Sequence, residues 1–86
     1  MTKIWAKVMI DHKVKRSIIH DCGERVNIVN FYENVRNICE KLKVSTPVVL
    51  NSYAERFVEL NILKFRPRDF LEEIPFDFLV LESGDE

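Results

Sequence analysis

Residues 3–10, KIWAKVMI, alternate apolar and polar positions with a period of two. That pattern places Ile4, Ala6, Val8 and Ile10 on one face of a β-strand and Trp5, Lys7 and Met9 on the other. Residues 13–20, KVKRSIIH, form a second β-branched segment, with Val14 and Ile18 directed one way and Ile19 the other. Asp11-His12-Lys13 supplies the turn, so 3–20 reads as a β-hairpin.

The period then changes. From Asn30 onward, Phe31, Val35, Ile38, Cys39 and Leu42 recur at spacings of three and four, the buried stripe of an amphipathic helix over 30–43. Asn30 is placed to cap it, Glu33 to complete a capping box, and Lys41 and Lys43 to meet its negative end. Residues 46–61 carry two readings. Thr46-Pro47 can open a helix that buries Val49, Tyr53, Phe57 and Leu60, or Val48-Val49-Leu50 can form a short strand before a helix that starts after Asn51. The adjacent valines favour the second. ILKF (62–65) reads as a strand, and RPRDFLEEIP (66–75) as one helical turn with Asp69 capping, Glu72 completing a box and Pro75 stopping it. FDFLVLE (76–82) is a strand apolar on both faces, as an interior strand is. Residues 83–86 are expected to fray. The predicted fold is α+β in one small globular domain over 1–86. It has an N-terminal β-hairpin, one amphipathic helix, a second shorter helix, and C-terminal strands in one mostly antiparallel or mixed sheet.

Composition bounds this reading without redirecting it. The chain has 86 residues, 47% apolar and 31% charged, which suits one soluble core. No apolar run is long enough to cross a bilayer, and the alternating N-terminus does not resemble an export signal. With two cysteines, a reduced cytoplasmic protein is expected. The net charge of −1 divides unevenly: residues 1–43 hold nine Lys/Arg against five Asp/Glu, a balance of +4, and residues 44–86 hold four against nine, a balance of −5. A basic patch is compatible with this; a strongly basic nucleic-acid binder is not.

The second half also carries a resemblance. Thr46-Pro47 followed by Val48-Val49-Leu50, Phe57, a strand ending at Phe65, Asp69-Phe70 with Glu72, and Phe76-Asp77-Phe78-Leu79 closing on Glu82 resemble a family of short bacterial proteins of unknown function. The opening WAKVMIDHK is similar as well, whereas residues 21–30 are not. The resemblance implies a compact bacterial domain and brings no activity, cofactor or site residue with it.

The candidate chemistry is sparse. His20-Asp21-Cys22 is the one cluster with a nucleophile beside a base, and in extended chain His20 and Cys22 share a face while Asp21 points away, so no third group orients the imidazole. A structural thiol beside the turn glycine Gly23 is the expected role. The hairpin holds His12 and His20 apart, and Cys39 lies on the apolar stripe, which disfavours a metal site. Asp69, Glu72, Glu73 and Asp77 read as a solvated acidic edge rather than a catalytic pair. Two isolated glycines cannot build a phosphate-binding loop. No catalytic, cofactor-binding or metal-ligating residue is therefore assigned.

Surface patterning gives two further readings. Trp5, Met9, Ile19 and Leu81 are candidate interface residues, because two modest helices leave one face of a sheet uncovered; the expected function is a non-catalytic protein-interaction or homo-oligomerising domain. The alternative is weak single-strand nucleic-acid binding through Lys3, Trp5, Lys7, Lys15 and Arg16 of the hairpin.

Overall fold

The computed structural model describes residues 2–85. It is an α+β domain built on one four-stranded antiparallel sheet, with strands in the order β2-β1-β4-β3. The elements run β1 (Thr2–Ile10), β2 (Lys13–Asp21), α1 (Phe31–Leu42), α2 (Asn51–Leu60), β3 (Ile62–Phe65), a 3₁₀ turn (Pro67–Asp69) and β4 (Phe78–Asp85). The hairpin, both helices and the interior position of β4 follow the sequence pattern.

Asp11 and His12 both take positive φ, 52° and 65°, as a two-residue turn of the mirror-image type requires for a twisted hairpin. A bulge between Val8 and Met9 sets the register: Val8 pairs with Arg16 but Met9 pairs with Val14, leaving Lys15 as the extra residue. The slip corrects the expected alternation of β2. Arg16, Ile18 and His20 lie across from the inward residues Val8, Ala6 and Ile4, whereas Val14 turns outward beside Met9. Placed inward, the Arg16 guanidinium donates to the Leu42 carbonyl, one of the unpaired acceptors at the end of α1.

Both helices pack on the same side of the sheet. Ile4, Ala6 and Val8 of β1, Leu79 and Leu81 of β4, and Leu63 and Phe65 of β3 form one continuous core with Phe31, Val35, Ile38, Leu42 and Phe57 of the helices. Phe31 and Phe57 join the helices through rings 5.1 Å apart, and Phe70 meets Phe76 edge-on at 5.5 Å to close the end beneath the 3₁₀ turn.

Several local expectations are corrected. Asn30 precedes α1 without capping it: its Oδ1 accepts from the Asn27 N–H while its own N–H donates to Asn27 Oδ1, and Glu33 pairs with Arg36 instead of reaching back. Residues 48–50 form no strand. The Val48 N–H donates to the Asp69 carbonyl, and the Leu50 carbonyl accepts from the first turn of α2. The helical turn expected across 66–75 contracts to Pro67–Asp69. Ser83 and Gly84 do not fray, because β4 continues past Glu82 and pairs with Ile4 and Lys3; Glu86 lies outside the described residues.

Candidate functional site

His20 is buried by its position on the inner face of β2, under α1. Its Nε2 lies 3.1 Å from Asn34 Oδ1 and its Nδ1 lies 2.9 Å from Lys41 Nζ. An ammonium only donates, so Nδ1 accepts and Nε2–H donates to Asn34, whose amide donates in turn to the Asn30 carbonyl. Burial pushes the imidazole below its ordinary value, and the Lys41 charge adds to that against the opposing Asn34 hydrogen bond. His20 is a neutral strut between strand and helix.

The neighbouring thiol is not activated. Cys22 Sγ lies 3.9 Å from the His20 carbonyl oxygen, and both ring nitrogens of His20 are taken by Asn34 and Lys41. Burial, reinforced by Asp21, pushes the Cys22 thiol up to about 11, and burial takes Cys39 to about 11 as well. At neutral pH the nucleophilic thiolate is scarce at both positions. His12 sits in the hairpin turn, at the far end of β2 from His20. Among the described residues, no three His, Cys, Asp or Glu side chains gather closely enough to hold a metal ion.

Three of the four clustered acids, Asp69, Glu72 and Asp77, have separate structural tasks. Asp69 accepts from the Tyr53 hydroxyl at 2.7 Å and from the Arg66 N–H at 2.8 Å. Glu72 accepts from the Ser45 hydroxyl, and Asp77 accepts from the Asp11 N–H, which ties the hairpin turn to the start of β4.

The outer face of the sheet is more informative. One cross-strand row runs Ile19–Trp5–Glu82–Ile62, the next Ser17–Lys7–Val80–Lys64, and a third brings Val14, Met9 and Phe78 together. Trp5 is 47% exposed and Ile19 is 69% exposed, at positions where no helix covers the sheet. Lys7 bridges the rows: its Nζ sits 3.9 Å from the Trp5 ring centroid and 2.8 Å from Glu82 Oε1. Three of the four candidate interface residues, Trp5, Met9 and Ile19, thus share this face. Leu81 does not; at 0% exposure it belongs to the opposite, packed face, because an even step along β4 keeps it in phase with Leu79. Of the candidate nucleic-acid contacts, Lys7 is held by Glu82 and Arg16 by the end of α1, while Lys15 stands on the bulge of the edge strand.

A second concave surface escaped sequence reasoning. A groove of about 330 Å³ lies beside β3, lined by Tyr53, Arg56 and Leu60 of α2, by Ile62, Leu63 and Lys64, and by Arg66, Arg68 and Asp69. All four Lys/Arg of residues 44–86 line it. The traceable signal was their small number, not their spacing. Asp69 beside Tyr53 accepts its hydroxyl proton and so raises the phenol above its ordinary value.

Comparison of the chain with protein-family models, with curated proteins and with solved structures finds no match. Among the described residues, no helix is long and apolar enough to cross a membrane.

Proposed function

We propose that this protein is a non-catalytic interaction domain that self-associates through the outer face of its sheet. The observation that carries this reading is the gathering of Ile19, Trp5, Ile62, Val14 and Met9 on one face that neither helix covers, around the Lys7–Glu82 pair. Apolar side chains gathered on one side of a sheet gain by leaving water, and a second copy presents the same surface for a two-fold contact. Four strands at ~4.8 Å spacing and ~3.3 Å per residue offer on the order of 400 Å² per copy. That places the contact among small, transient interfaces and makes the dimer dependent on concentration.

Nucleic-acid binding by the hairpin is the weaker reading. A base that stacks on Trp5 must displace Lys7 from the ring, and Lys7 is already neutralised by Glu82. Two unpaired thiols with raised pKa values fit a reducing cytoplasm.

Native mass measured across a hundredfold range of protein concentration tests the proposal. The expected result is a rise from monomer toward dimer, abolished by Trp5→Lys with the fold intact by circular dichroism. A monomer at every concentration overturns it.

A further inference from the structure

We propose that the groove between α2 and β3 binds an extended acidic peptide, which adds to the sheet as a fifth strand. β3 is the last strand of the sheet, paired only with β4. No residue of β4 lines the groove, so it lies along the outer edge of β3. The Ser83 N–H donates to the Asn61 carbonyl, which fixes the phase of the ladder: Leu63 and Phe65 turn their backbone groups toward β4, and Ile62 and Lys64 turn theirs into the groove. Among the described residues these outward groups have no hydrogen-bond partner. The ladder stops at Arg66, whose N–H is taken by Asp69.

Charge selects the occupant. Arg56, Arg66 and Arg68 stand around one edge in the half of the chain that is otherwise acidic, with Lys64 beside them over the Phe78 ring, and none of the four forms an ion pair among the described residues. Asp69, the only carboxylate in the groove, is occupied by Tyr53 and the Arg66 backbone. Gathered cations repel one another, and an incoming acid relieves that repulsion. A phosphate supplies the charge but not the fit, because the outward carbonyls of Ile62 and Lys64 repel its oxygens. A peptide offers N–H groups to those carbonyls, C=O groups to the two amides, and carboxylates to the guanidinium groups. Leu60, Ile62 and the Tyr53 ring give its apolar side chains a wall.

The groove meets the self-association face at Ile62 and Lys64 but takes its charge from Arg66 and Arg68, so substitutions there and at Trp5 let the two ideas fail separately. The probe is an acetylated, fluorescein-labelled eight-residue peptide alternating glutamate and valine, followed by fluorescence anisotropy at low salt. Saturable binding is expected, with the Ile62 and Lys64 amide resonances shifting on titration. The double variant Arg66→Glu, Arg68→Glu is expected to weaken it at least tenfold, and so is N-methylation of alternate amides in the peptide, which blocks strand pairing and leaves protein and charge untouched. The proposal is overturned by an absence of saturable binding, by equal binding of the N-methylated peptide, or by a single-stranded oligonucleotide of equal charge that competes more tightly than the peptide binds.

Discussion

The two faces of the sheet are built from the same strands by the same alternation, yet they behave as different materials. Inside, Ile4, Ala6, Leu79 and Leu81 are wholly removed from water beneath α1 and α2. Outside, one residue along, Trp5 and Ile19 remain exposed, and Lys7 is held by Glu82 and Lys64 lies over the Phe78 ring at 4.7 Å. The inner face spends its apolar area on folding. The outer face keeps it available, which is the physical condition for a contact surface. Apolarity alone does not separate core from interface; the phase of the strand against the helices does.

That contrast can be broken most sharply at Leu81 and Trp5. Leu81→Ala removes a fully buried side chain from the central pair of strands and is expected to cost about 2–5 kcal/mol in chemical denaturation. Trp5→Lys is expected to leave the same midpoint within about 0.5 kcal/mol, while it removes self-association. Equal losses from the two changes would abolish the distinction.

His20 sharpens the comparison from the inner side. Its folded pKa is held below the unfolded 6.5, so the unfolded chain takes up the proton first as pH falls. Stability is therefore fully retained above about 6.5 and declines as pH drops from there toward the folded value, below which this contribution is flat. Protonation would also set an imidazolium 2.9 Å from the Lys41 ammonium. Denaturation midpoints measured from pH 7.5 to 5 should fall more steeply for the native chain than for His20→Gln.

The smallest effect belongs to neither face. His12 holds φ at 65°, which a residue with a Cβ pays for and glycine does not. After the greater freedom glycine has when unfolded, His12→Gly should raise stability by about 0.5–1 kcal/mol, read from thermal unfolding.

Periodicity made the hairpin, both helices and the interior strand legible, since alternation and the three-four spacing report directly on which side chains leave water. The Asn51 helix start was readable from the valines before it, although those valines stayed in extended chain without a partner strand. The bulge at Lys15 carries no signature in KVKRSIIH, and it alone puts Val14 on the opposite face from Arg16 and Ile18. Leu81 was misplaced because a strand apolar on both faces gives no phase until its neighbours are known. The basic groove was invisible for a related reason: Arg56 and the Lys64-Arg66-Arg68 series meet only once the chain turns back at Asn61, which takes φ of 62° at the end of α2.

The placement of β1 has a consequence for how the chain reaches its fold. One neighbour of β1 follows it within a dozen residues, but the other is β4, and the Lys7–Glu82 bridge spans a sequence separation of 75. During synthesis the hairpin and α1 emerge before β4, and until β4 is made one flank of the central strand stays bare. Folding is thus gated by a late, long-range zippering step, and in the interval the most aggregation-prone edge of the molecule is the one that ends up at its centre.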